Sequence, residues 1–267
     1  MVNSPTTVFQ RDVAIKLSAY FSKKMNDLQV TQPDLYARIA EDYAYILQSI
    51  PNGETINMVG SELQYNWLSC LSEPATHYTK KDMTDLNEDD DTIIYSPRVD
   101  LAITPTVLTK KKKKRSLGVY RLPTDRSLFL SISQCDFIKE IIKRLREQSD
   151  ANLRELELGE YRQLHNIRPV HLFGIEIENQ TNPKHLMGDF LNVISLSKIP
   201  VVLFPEDKFD GCIKMLMFSK AINHIKDIPI FDTLRSALIL KIDQFRDTMN
   251  EFLSREGLEL IEVYEYR

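Results

Sequence analysis

The segment His171-Leu-Phe-Gly-Ile-Glu176-Ile-Glu178-Asn-Gln180 sets two carboxylates one residue apart in a short apolar run. Leu172, Phe173, Ile175 and Ile177 predict a strand bound for a core. Residues two apart in a strand project from one face, so Glu176 and Glu178 point the same way, about 7 Å apart. Buried like charges raise each other's pKa and are costly unless something positive lies between them. A hard divalent cation such as Mg²⁺ meets that need, so the leading expectation is a metal site. The competing reading is an edge strand with Phe173, Ile175 and Ile177 inward and both glutamates in water.

Other residues could join this pair. Asp100 follows a proline at the start of an extended run, Pro97-Arg-Val-Asp100-Leu-Ala-Ile103. Six consecutive cations, Lys110, Lys111, Lys112, Lys113, Lys114 and Arg115, lie between the apolar runs 106–108 and 117–120. That pattern predicts a hairpin with a basic tip, which is a solvated loop or a phosphate contact. His185 and Asp189 share a face of the following helix at i and i+4 and read as a surface pair or a catalytic partner. No HxxxH, HExxH, GxSxG or Walker-type glycine loop occurs, and eight glycines leave little room for phosphate-cradling loops.

The positioning elements follow from periodicity. Residues 7–25 carry helical apolar spacing, and a second helix runs from Pro33 to about Ile50 with Leu35, Ile39, Tyr43, Ile46 and Leu47 on one face. A third helical stretch is expected over 61–71, around Trp67. Residues 92–103 and 127–133 predict strands, 134–148 a basic amphipathic helix, and 152–164 its helical continuation. The acid strand is followed by a turn at 179–183, a helix from Lys184 to about Lys198 and the strand 200–204, a unit suited to a parallel crossover. Two helices (211–226 and 232–255) and a last strand (258–266) complete the expectation.

At 267 residues, with 43% hydrophobic and 27% charged residues, the composition is that of a globular protein. A net charge of −4 and a pI near 5.8 exclude a uniformly basic nucleic-acid binder, so only a local patch could play that part. Cys70, Cys135 and Cys212 are isolated, which favours buried free thiols over a zinc ribbon or a disulfide framework. The first residues lack a signal-peptide pattern and no apolar run approaches ~18 residues, so a cytoplasmic protein without membrane association is expected.

An Asp opening one strand, an acid-x-acid strand, a helix and then an apolar strand together resemble the PD-(D/E)xK superfamily of restriction-endonuclease-like nucleases. The likeness covers about Thr92 to Phe204. It implies an α/β fold in which a mixed sheet is flanked by helices. An N-terminal helical region (1–80) would precede a nuclease-like core (90–205) carrying the basic hairpin and a helical insertion, with C-terminal helices (206–267) packed on the core. On this resemblance Asp100 matches the motif Asp and Glu176 the motif acid, while Glu178 stands where the family usually has Lys. Some members carry Glu-x-Glu, so catalysis is not excluded. Lys184 could supply the missing cation, and Glu41 could match the acid that some members bring from a helix ahead of the core.

The activity implied is Mg²⁺- or Mn²⁺-dependent endonuclease hydrolysis of DNA, with Asp100, Glu176 and Glu41 as metal ligands and Asp100, Glu176, Glu178 and Lys184 as the catalytic set. The 110–115 cations, with Lys139, Lys143, Arg144 and Arg146, would contact phosphates. A homodimer would allow both strands to be cut. Two other classes compete. One is a catalytically silent nuclease-fold protein that binds nucleic acid or a protein partner. The other is an interaction module working through the helices at 211–226 and 232–255.

Overall fold

The computed structural model describes residues 5–49, 67–74, 76, 78–79, 93–110, 117–121, 126–164, 166 and 168–263. Its centre is a mixed sheet in which β1 (Leu68–Ser72), β4 (Leu101–Lys110), β6 (His171–Ile177), β7 (Ser197–Phe204) and β8 (Leu238–Lys241) lie side by side in that order. The β1–β4 and β4–β6 pairs are antiparallel, and β6, β7 and β8 run parallel. The outer half of β4 forms a hairpin with β5 (Leu117–Arg121), while β2 (Tyr78–Thr79) and β3 (Ile93–Tyr95) make a separate small ladder.

Helices cover both faces, which is why the central strands read as continuous apolar runs rather than alternating ones. Along β7, Ile199, Val201 and Leu203 enter one core and Val202 and Phe204 the other. The first core is closed by α1 (Pro5–Thr31), α2 (Pro33–Ser49), α3 (Arg126–Ile132), α4 (Asp136–Glu155) and α8 (Ile242–Arg255). The second is closed by α5 (Pro183–Leu196), α6 (Phe209–Lys226) and α7 (Ile230–Leu234). Helix α1 lies against β1 with Phe9, Val13, Leu17, Phe21, Met25 and Leu28 buried, a spacing of three to four that holds one stripe inward.

Five expected elements differ. Residues 68–71, expected to be helical, form the strand β1, whose short buried run is completed by pairing with β4. Residues 127–133, expected to be extended, are almost wholly the helix α3. Its pattern suits either period, and tertiary contacts decide: Leu128, Phe129 and Ile132 enter the core while Ser127 and Ser131, one turn apart, both donate to the Asp42 carboxylate. The expected helix 232–255 is split by β8, because Leu238, Ile239 and Leu240 form an apolar run buried on both faces. Residues 258–263 form no strand; Asn250 and Asp12 side chains take up the backbone of Ile261 and Glu262 instead. Helix α4 stops at Glu155, short of the expected continuation, and Gly159 follows with φ +87°.

The three cysteines are buried and unbridged. Among the described residues no helix is long and apolar enough to cross a membrane.

Helix α5 approaches β6 closely at Gly174, where an added Cβ would run into the Ser197 hydroxyl and crowd Val193. Gly174→Val should therefore cost about 1–3 kcal/mol or more, read as a lowered midpoint in denaturant unfolding. An unchanged midpoint would show that the contact yields freely.

Candidate active site

Glu176 is the penultimate residue of β6 and Glu178 lies one residue past its end, and each is only 6% exposed. Strand β6 is third of the five core strands, so the solvated edge-strand reading is overturned. Ile175 and Ile177 enter the α1-side core, whereas α5 packs across β6 on the opposite side.

Register then brings in Asp100. Leu101 pairs with Ile175, which sets Asp100, at the mouth of β4, beside Glu176. The Ile177 backbone N–H donates to Asp100 Oδ2 at 2.7 Å, and the Asp100 N–H points to Glu176 Oε2 at 3.4 Å. A further donor comes from α1: Gln10 Nε2 lies 2.7 Å from Asp100 Oδ1, with Gln10 only 4% exposed. The Asp100 and Glu176 carboxyl groups also share a hydrogen bond.

The fourth acid is Asp189. Asn182 caps α5 by accepting the Lys184 N–H at 3.0 Å, and Pro183 opens the helix, which then runs back over the sheet. Its Leu186, Phe190 and Val193 are buried. Half-buried Asp189 is hydrogen-bonded to Glu178. Cys212 on α6 is buried close enough for Glu178 to act on it, and its thiol is pushed up mainly by burial.

Electrostatics matches the crowding. Burial, then Asp100, Asp189 and Glu178 in turn, pushes Glu176 up to about 10. Glu178 is pushed up to about 8 by burial, the Asp189 hydrogen bond and the Asp189 and Asp100 charges. Asp100 is also raised by burial, but the Ile177 and Gln10 donors oppose that rise. Among the described residues no cation acts on Glu176 or Glu178. The donors around Asp100 assign it the negative charge and leave the shared proton on Glu176.

Two expected members stay outside. Glu41 is exposed on α2, which packs on α1 and α3, and it is not among the charges acting on the cluster. The residue that a leading helix does bring to Asp100 is Gln10. Lys184 is exposed at the start of α5 and likewise does not act on the acids. His185 is exposed, so its Asp189 neighbour turns inward without it.

The basic tip 111–116 lies outside the described residues, as does the Lys110 side chain; the flanking strands of the hairpin are present. On α4, Lys139, Lys143, Arg144 and Arg146 each face a carboxylate, of Asp136, Glu147, Glu251 and Asp150. They form exposed ion pairs rather than a bare cationic strip.

The donor set is all oxygen and carboxylate-rich, the chemistry a hard divalent cation prefers. As the side chains stand, no three His, Cys, Asp or Glu residues among those described are arranged to hold one ion. The carboxyl groups are instead occupied with one another, in the pairs Asp100–Glu176 and Glu178–Asp189.

Acids whose pKa rises on folding keep protons that the unfolded chain loses. The metal-free protein therefore loses stability as pH climbs from the ordinary glutamate range, about 4.3, through 8 toward 10. Glu176→Gln removes the largest part of that loss. In chelator, this variant should be more stable than wild type at pH 8, by on the order of a few kcal/mol, with the gap closing toward pH 5. Parallel thermal melts across that range would refute the assignment.

No family model, no curated protein and no solved structure matches this chain, so its functional reading rests on the geometry of these acids.

Proposed function

We propose that this chain is a metal-dependent endonuclease that hydrolyses phosphodiester bonds in DNA, with a restriction-endonuclease-like core. The observation that carries the reading is the meeting of half-buried Asp100 and buried Glu176 across two adjacent antiparallel strands, with no cation acting on Glu176 among the described residues. The order helix, three antiparallel strands, crossover helix, parallel strand, formed by α1, β1, β4, β6, α5 and β7, agrees with that core.

Asp100 and Glu176 would hold Mg²⁺ or Mn²⁺. The ion would supply Lewis acidity and lower the pKa of its bound water. Everything else falls to the chain. Gln10 and the Ile177 N–H fix Asp100 so that one carboxylate oxygen is anchored by each donor. Glu178, raised to about 8, exchanges a proton near neutral pH and suits a general base or acid beside the scissile phosphate. Asp189 keeps Glu178 in place, and their hydrogen bond adds to the rise that burial causes. The 110–115 cations would grip the backbone on either side of the scissile bond.

A second reading, a catalytically silent relative that binds nucleic acid, is favoured by one observation: among the described residues no cation acts on Glu178. Cleavage separates the two. Purified protein with Mg²⁺ or Mn²⁺ should nick or cut plasmid DNA, and Asp100→Asn or Glu176→Gln should lower the rate by at least about a hundredfold with DNA retention unchanged. Wild-type protein that retains DNA without cutting it would establish the silent reading. Equal cutting by wild type and both variants would remove the acids from the mechanism.

A further inference from the structure

A cleft opens where α3, Gln163, Leu164, Asn166, Pro169 and the start of β7 meet. It encloses ≈ 430 Å³ of empty space, part of it open to solvent, and is lined by Arg126, Phe129, Leu130, Gln163, Leu164, Asn166, Pro169 and Lys198. The register pairs Glu176 with Val202, and Lys198 lies four residues earlier on β7. The cleft is therefore about 13 Å along the strands from the acid cluster, near their other end.

Its charge is one-sided. Arg126 and Lys198 both border it and, among the described residues, no carboxylate does. Burial, and after it the Arg126 charge, holds the Lys198 ammonium below the usual lysine range. Neither cation has a hydrogen bond or an ion pair, and the Gln163 amide has no hydrogen bond, among the described residues. By contrast, Asn166 is fully employed: its Nδ2 donates to the Ile194, Ser195 and Ser197 carbonyls and its Oδ1 accepts the Arg168 N–H. It thereby holds the loop that presents Gln163 and Leu164. Phe129, Leu130, Leu164 and Pro169 supply apolar walls, and Leu130 and Leu164 stay largely exposed.

Two like charges bordering one cleft, Arg126 exposed and Lys198 half-buried, with spare donors beside them, favour an anion. Two positive charges match a phosphomonoester, which carries −1.5 to −2 near pH 7, better than a single carboxylate. Apolar walls beside paired cations suit a flat ring attached to that phosphate. We propose that the Arg126–Lys198 cleft binds the phosphomonoester group of a nucleotide, with the base or sugar against Leu130 and Leu164. The group could reach it as a free nucleoside monophosphate or as the terminal phosphate of a nucleic-acid strand. The site stands independently of what the acid cluster does.

Calorimetry in chelator tests it, with inorganic phosphate and 5′-dAMP as free ligands and a short 5′-phosphorylated single-stranded oligonucleotide as the polymer. Lys198→Gln and Arg126→Gln, each verified to melt as wild type, are compared with Lys214→Gln, an exposed cation on α6 outside the cleft, which should bind as wild type does. If the source is a free nucleotide, 5′-dAMP binds and either cation variant weakens it by at least about tenfold. If the source is the polymer, only the oligonucleotide binds, and each substitution lowers both its affinity and the steepness of its salt dependence. The proposal is overturned if none of the three ligands binds, or if both cation variants bind them as tightly as wild type. Because metal and cleavage are absent from this measurement, failure of the nuclease reading would leave its outcome unaffected.

Discussion

Two glutamates buried at the end of a central strand, with no cation acting on them among the described residues, constrain everything around them. Left ionised together they would oppose folding, so the protein disposes of the charge by sharing protons. Asp100 receives donors from Gln10 and Ile177 and holds a negative charge; Glu176 meets that charge from a site with almost no donors and keeps its proton. Glu178 does the same with Asp189. The carboxyl groups thus form two hydrogen-bonded pairs in which protons occupy the place a divalent ion would take. Such a cluster works against stability at neutral pH, as functional sites commonly do.

The fold serves that cluster through three placements. Antiparallel β4 and β6 set Asp100 beside Glu176. Helix α1, closed on β1 by its apolar stripe, delivers Gln10. The crossover α5, brought close by the absence of a side chain at Gly174, delivers Asp189. Each placement depends on contacts between segments far apart in the chain.

That distance explains what was legible in sequence. Where a period is long and strong it showed: α1, α2, α4, α5 and the β6–α5–β7 unit follow directly from apolar spacing. Short runs did not resolve. Ser127 to Ser133 alternates well enough for a strand, yet the Asp42 carboxylate and the core beneath make it a helix. Leu238 to Lys241 is too brief to be told from helix until β7 stands beside it. At the site, Asp100, Glu176 and Glu178 were readable because extended apolar context surrounds each. Glu41 and Lys184 were charges in suitable helices, but helical phase points both into solvent. Asp189 was visible as one half of a surface pair. Only the burial of Leu186, Phe190 and Val193 shows that its face of α5 turns toward Glu178. Gln10 had one sequence signal, a polar residue set within the stripe of Phe9, Val13 and Leu17.

The most direct measurement is a calorimetric titration of metal-free protein with Mn²⁺ in buffers of different ionisation enthalpy, which counts protons released per ion bound. If a cation replaces the protons now shared by these acids, binding at pH 7 releases about one proton or more from wild type, and Glu176→Gln abolishes both the binding and the release. Binding without proton release, or no binding at all, would contradict the claim that this buried carboxyl cluster is a metal site.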